Sequence, residues 1–324
     1  MGGRALKQFG IETERKSTVE HERILSELKP RVEKLFNCEV KTVKYYHTKD
    51  SHGDLDLLVL SNNKNPYELI KKEFNTTNIN SNGSVYSFEY DDYQIDIILI
   101  SEKKCNTEYF SYDPCGNLFG KIAHKFGLKY GTNGLVYPFR NFSGRITKDI
   151  VLSTDTRKMF TFLGFNYNRY MKGFDTVEEI FDFVINSDYF DDEIFLFKNL
   201  TATDRKRNEK RATYNGFLTY VKNNNIKSSY SFEKDKNKYF DFINNYFPES
   251  NFLKKLDELH RLDEESKLIS GKFNGKLIME KYPELKGKEL GSMIKLFKEK
   301  YDSNFILNNS VEEIMDKFNI LYNG

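Results

Sequence analysis

Ser51-His52-Gly53-Asp54-Leu55-Asp56-Leu57-Leu58-Val59-Leu60 is the stretch on which the reading of this chain turns. Asp54 and Asp56 are two residues apart, and in an extended strand such residues point to one face. The four apolar residues behind them are too hydrophobic for a solvated strand. Further along, Tyr93-Gln94-Ile95-Asp96-Ile97-Ile98-Leu99-Ile100 repeats the pattern, with one acidic residue inside an apolar run. Asp96 shares a face there with Gln94 and Ile98, and not with Ile95 or Ile97. A carboxylate so placed costs free energy unless its charge is compensated, and three on adjacent strands repel one another. Divalent cations answer both difficulties, in the manner of two-metal phosphoryl-transfer sites. Asp-X-Asp alone is common in turns and caps. Gly53 before the pair, the apolar strand behind it and the buried Asp96 beyond favour metal binding.

Outward from this centre, Ser17-Thr18-Val19-Glu20 reads as a capping box opening a helix to about Asn37, with Ile24, Leu25, Leu28, Val32 and Leu35 as its apolar stripe and Pro30 as a kink. Glu39 to Tyr46 reads as a strand, 48–53 as a tight loop, and Asp54 to Leu60 as a second strand. A helix from Asn65-Pro66 to about Phe74 follows, then strands Val85 to Tyr90 and Gln94 to Ile100 joined by Asp91-Asp92. This order predicts an α/β fold with a mixed β-sheet. Past residue 175 helical periodicity takes over. The expected segments are an N-terminal arm and helix (1–40), the α/β core (41–140), a core-closing segment (141–175), a helical domain (176–262) and a C-terminal helical tail (263–324).

The 324 residues are 39% hydrophobic and 30% charged, which suits a globular chain of two or three domains. Net charge is +2, so any surface for polyanions must be local. Cys38, Cys105 and Cys115 have no metal-ligand spacing, pointing to the cytoplasm or another reducing intracellular compartment. No apolar run reaches the ~18 residues of a membrane span, and residues 1–6 lack the apolar core of a signal peptide. No membrane and no protein partner is expected.

Two basic stretches are candidate nucleic-acid contacts. Asp204 to Arg211 reads as the start of a helix continuing through Phe217, Leu218 and Val221, with Lys206, Arg207, Lys210 and Arg211 on one broad face. A solvated charged face is the alternative. Lys288, beside Gly287, sits where a helix start offers free N–H groups and positive charge to a phosphate.

Residues 51–59 resemble the first metal motif of family X DNA polymerases and their relatives in the polymerase-beta-like nucleotidyltransferase superfamily. Residues 94–100 resemble the strand carrying that superfamily's third carboxylate. Asn117 to Gly134, with Ala123-His124 and Asn133, resembles the nucleotide-binding helix and turn; Ser153 to Gly164, with Tyr167 and Arg169, resembles the segment that closes the core. The resemblance covers about residues 40–170. It implies a nucleotidyltransferase palm followed by a mostly helical C-terminal region. It also implies two Mg²⁺ ions (Mn²⁺ as a substitute), with Asp54 and Asp56 on both and Asp96 on the catalytic one, helping to take the proton of the attacking 3′-hydroxyl. The partners implied are a nucleoside triphosphate such as ATP and a nucleic-acid 3′ end.

One departure matters. The superfamily's Gly-Ser pair before the first Asp, which grips the triphosphate, is replaced here by Val43-Lys44-Tyr45-Tyr46. Nucleotide contacts are therefore expected from Lys49, Ser51, His52 and Gly53, with Asn133. Gly2-Gly3-Arg4 is a further phosphate candidate beside the alternative of a frayed tail. Residues 275–279 and 286–294 resemble the tail of CCA-adding tRNA nucleotidyltransferases. There is no helix-hairpin-helix signature and no room before residue 40 for a lyase domain, so RNA or tRNA is the preferred acceptor. The alternatives are a family X-like DNA polymerase in repair, a nucleic-acid-binding protein that keeps the palm, and an enzyme that nucleotidylates a protein or tRNA.

Overall fold

Ile24, Leu28 and Val32, the stripe expected in the first helix, found the first layer of the molecule. The computed structural model describes residues 3–61, 63, 65–100 and 106–323; Gly2 and Cys105 lie outside the described residues. A short strand β1 (Lys16–Ser17) runs into helix α1 (Thr18–Phe36). Ser17 and Glu20 complete the capping box, and Asn37 ends the helix in the left-handed conformation. Strands β2 (Val40–Thr42), β3 (Ser51–His52) and β4 (Asp54–Val59) follow, then helix α2 (Pro66–Phe74). Next come β5 (Asn80–Asn82), β6 (Val85–Tyr90) and β7 (Tyr93–Leu99). Asp91 and Asp92 join the last two with φ of 57° and 55°, the pair of left-handed residues that a two-residue hairpin turn demands.

The five-stranded sheet has the order β2-β4-β7-β6-β5, while β3 pairs with β1. β4 and β7 are parallel and the other pairs antiparallel, so the sheet is mixed. Alternation sorts its two faces. Leu55, Leu57, Val59, Ile95 and Ile97 pack under α1 against Ile24, Leu28 and Val32, all essentially buried. Each such side chain is worth about 1.5–3 kcal/mol by transfer. The opposite face carries Asp54, Asp56, Gln94 and Asp96 at one end and a small apolar cluster, Leu58 with Ile98 and Ile100, at the other.

The first predicted strand is shorter than expected. Beyond Thr42 the chain leaves the sheet because its backbone finds other partners: Tyr112 N–H donates to the Lys44 carbonyl at 2.7 Å. Freed from the sheet, residues 43–46 become available as a wall.

Helix α3 (Cys115–Lys125) is followed by strands β8 (Lys129–Gly131), β9 (Gly134–Arg140) and β10 (Ile146–Ser153), a second sheet in the order β10-β9-β8. Helices α4 (Thr156–Phe162), α5 (Tyr167–Met171) and α6 (Val177–Ile185) come next. Much of the phenylalanine is spent here: Phe119 meets Phe165 at 4.2 Å and Phe160 at 5.2 Å between ring centroids.

The expected continuous basic helix is in fact two, α7 (Ala202–Asn208) and α8 (Ala212–Asn223). Tertiary contacts hold the break. Asn208 is fully buried and its side-chain oxygen accepts from Asn117 Nδ2 on α3 at 2.6 Å. The Asn215 amide donates to the Arg211 carbonyl at 2.8 Å and to the Glu209 carbonyl at 3.2 Å, satisfying the turn. Lys206, Arg207, Lys210 and Arg211 thus do not share one helix face.

Helix α9 (Phe240–Tyr246) precedes α10 (Phe252–Lys272), α11 (Gly275–Lys281), α12 (Gly287–Lys300), α13 (Ser303–Asn308) and α14 (Val311–Asn323). The chain divides into two compact units, Met1–Tyr137 with Val151–Ser250, and Pro138–Ile150 with Asn251–Gly324. The second has its own core, in which Phe273, Ile278, Phe297, Ile314 and Phe318 are essentially buried. The protein is α/β, with a mixed sheet and a helical C-terminal region. Among the described residues no helix is long and apolar enough to cross a membrane.

Candidate functional site

The parallel pairing of β4 and β7 sets Asp56 directly opposite Asp96 and Asp54 opposite Gln94. Since residues two apart share a face, these four side chains form a square patch on the side of the sheet away from α1. Its three carboxylates lie on the floor of a cavity of about 970 Å³ within the first unit. Burial pushes all three carboxyl groups upward, and neighbouring carboxylates add to this at Asp56 and Asp96. Asp96 is raised to about 6 by burial and by Asp54. Asp56 is raised well above the usual range by burial, then by Asp54 and Asp96. Asp54 is raised by burial, against which Lys49, Arg15 and a hydrogen bond from the Gly3 N–H pull downward.

Asp96 is held from two sides. Gln94 Nε2 donates to both oxygens of Asp96, at 2.9 and 3.2 Å, and Ser87, opposite Asp96 on β6, also hydrogen-bonds it. As the side chains stand, no three carboxylates, imidazoles or thiolates among the described residues converge on one metal position. The chemistry of the donor set would nevertheless suit a hard divalent cation: three carboxylates on one sheet face, with Asp56 and Asp96 in register, buried and close enough to raise one another. That fit lies in the donors' chemistry and backbone register.

Lys49, Ser51, His52 and Gly53 line the same cavity. Their loop is fixed at both sides. His47 N–H donates to the Phe174 carbonyl and Thr48 N–H to the Asp175 carbonyl, both at 3.0 Å, while Thr18 N–H donates to the Asp50 carbonyl at 3.0 Å. Lys49 is lowered by burial, with Asp113, Asp54 and Asp56 pulling it back upward. Its ammonium sits 5.6 Å from the centre of the Tyr45 ring.

His52 stacks on His21 with ring centroids 3.9 Å apart, and burial lowers both, to about 3 and about 4 respectively. Their neutral tautomers follow from the partners. Tyr93 hydroxyl donates to the Asp54 carbonyl at 2.7 Å, so His21 Nδ1–H donates to the Tyr93 oxygen at 2.9 Å. Thr18 hydroxyl donates to the Lys49 carbonyl, so His52 Nε2–H donates to Thr18 at 3.2 Å. The pair is an uncharged wall beside Asp54.

Arg207 and Arg211 also line the cavity, whereas Lys206, Lys210 and Asn133 are not among its lining residues. Lys121 on α3, mostly buried, pairs with Asp204 at 2.8 Å and so ties α7 to the cavity wall. Asn133 occupies the turn between β8 and β9. Lys288 lies exposed in the first turn of α12, in the second unit; Gly287 before it has φ of 58° and no side chain caps the helix start.

Residues that sequence reasoning passed over join the site. Arg15 reaches the cavity and donates to the Ser51 carbonyl at 2.8 Å and to its hydroxyl at 3.1 Å. Its only signal was a charge just before a helix cap. Asp113 accepts from Thr213 at 2.6 Å and faces Arg211 at 3.7 Å; nothing in its local sequence distinguishes it. A smaller cavity of about 400 Å³, lined by Phe195, Leu196, Phe217 and Val221 among others, contains none of the expected site residues.

No protein-family model matches this chain, and no curated protein matches it.

Proposed function

We propose that the chain is a nucleotidyltransferase of the polymerase-beta-like kind, transferring a nucleoside monophosphate from a nucleoside triphosphate to a nucleic-acid 3′-hydroxyl with release of pyrophosphate. The observation that carries this reading is the register of Asp56 against Asp96 on parallel strands, with Asp54 on the same face, at the floor of a cavity that also holds Lys49, Arg15, Arg207 and Arg211. An acidic floor and basic walls suit a substrate that is a polyanion bound with cations. Asp54, Asp56 and Asp96 would hold magnesium or manganese, which supplies charge neutralisation and a more acidic attacking hydroxyl when bound. Lys49, Arg207 and Arg211 would bind the triphosphate in place of the absent Gly-Ser grip, each as a charge-assisted donor. The neutral His21–His52 stack and Tyr45 would bound the site without adding charge. RNA is the preferred acceptor, on the resemblance of the C-terminal segments to the tail of CCA-adding enzymes.

The test is incubation with each labelled NTP and dNTP against total RNA and primer–template DNA, beside Asp56→Asn. Incorporation by the wild type that falls by at least about two orders of magnitude in the variant is the expected result. Equal incorporation by Asp56→Asn would sink the assignment.

A further inference from the structure

Residues 3–6 are stitched to the floor of the cavity. Gly3 has φ of 80°, and a Cβ built there would lie 2.7 Å from the Gly53 carbonyl oxygen, so only glycine permits this approach. Thr13 hydroxyl donates to the Gly3 carbonyl at 3.1 Å, and Leu6 is 1% exposed. Held in this way, the segment directs two backbone N–H groups at the acidic patch. The Gly3 N–H bonds to Asp54. The Ala5 N–H donates to Gln94 Oε1 at 2.9 Å, and the same amide's Nε2 spans both oxygens of Asp96. Gln94 is 3% exposed, so its amide orientation is dictated by these partners: Oε1 must face the N–H and Nε2 the carboxylate.

We propose that the N-terminal segment and Gln94 form a positioning relay for the acidic patch, Ala5 fixing Gln94 and Gln94 fixing Asp96, while Gly3 fixes Asp54. This rests on the reading of the patch as a divalent-cation site. Partners of metal-binding carboxylates orient the oxygens and tune their affinity, and their loss typically weakens metal binding about 10–100-fold. Gln94 and residues 3–5 thus act through Asp96 and Asp54 without being ligands.

Mn²⁺ binding to the full chain, followed by calorimetry and by the paramagnetic signal of free Mn²⁺, tests the relay without any turnover. Gln94→Met keeps the side-chain volume and removes both amide functions; Gly3→Ala disturbs the strap and leaves Gln94 intact. Each variant's melting temperature in EDTA shows that it is folded. The expected result is Mn²⁺ affinity about 10–100-fold weaker in Gln94→Met and also weaker in Gly3→Ala, with the wild-type number of sites. Should Gln94→Met fail to fold, Gly3→Ala alone decides. Wild-type Mn²⁺ affinity in a folded variant overturns the relay and leaves the cation site standing. A wild-type protein whose Mn²⁺ binding is absent, or is unchanged by Asp56→Asn, removes the cation reading itself and the relay with it.

Discussion

Asp96 is a carboxylate whose surroundings hold its proton. Its group titrates near 6 against an ordinary 3.8, chiefly through burial and then through Asp54. Between those two values the folded protein binds more protons here than the unfolded chain does. The penalty is therefore absent below pH 3.8, grows through the interval and is complete above about 6. From the size of the shift it amounts to about 3 kcal/mol. Metal-free Asp96→Asn should accordingly be more stable than the wild type at pH 7.5, by up to that amount, with the advantage shrinking as the pH approaches 4. Urea unfolding in EDTA across that range is the measurement. An advantage that is flat with pH would mean that the Asp96 charge is not strained.

At the level of elements, the turn between α7 and α8 decides which basic side chains line the cavity. On one uninterrupted helix Lys206, Arg207, Lys210 and Arg211 would have shared a face; the break at residues 209–211 brings Arg207 and Arg211 to the cavity and leaves Lys206 and Lys210 outside its lining. A hydrogen bond to a charged group contributes about 1.5–3 kcal/mol. Arg207→Gln and Arg211→Gln should thus each weaken nucleoside triphosphate binding by roughly ten-fold or more, and Lys49→Ala should behave in the same way. Lys206→Gln with Lys210→Gln should leave nucleotide affinity within about two-fold, since exposed charges couple weakly to a distant phosphate. Fluorescent-nucleotide titrations of the variants would separate the sets; equal losses in both would return the run to a diffuse electrostatic role.

For the molecule as a whole, the proposed activity leaves the choice of acceptor to be tested. Metal chemistry and nucleotide geometry are common to RNA and DNA enzymes, so the acidic patch discriminates little between them. In the helical second unit, Lys288 lies in the uncapped first turn of α12, where free N–H groups and positive charge would suit a phosphate backbone under the proposed function. The full-length protein should extend a tRNA-like hairpin at least about ten-fold better than a gapped DNA duplex. Lys288→Glu should weaken hairpin binding by about 1 kcal/mol or more without changing Mg-nucleotide binding. Better extension of gapped DNA, indifferent to Lys288→Glu, would make the DNA-polymerase alternative the stronger one.

The sequence by itself determined the strands and what they carry. The period-two pattern of Asp54-Leu55-Asp56 and Gln94-Ile95-Asp96 assigns each side chain to a face, because pleating is a local property of an extended backbone. The Ser17–Glu20 box and the stripe of α1 were legible for the same reason, their partners being three or four residues away. The tertiary structure alone decided what those faces meet. Parallel pairing of β4 with β7 put Asp56 opposite Asp96 and made Gln94 the fourth corner of the patch, and register between strands separated by a helix and a hairpin has no local signature. Arg15, Asp113 and residues 3–5 enter the site through contacts across tens of residues. Asn208 stops a helix that local periodicity would have continued, because its burial against Asn117 outweighs the favourable but small helix propensities of Glu209, Lys210 and Arg211.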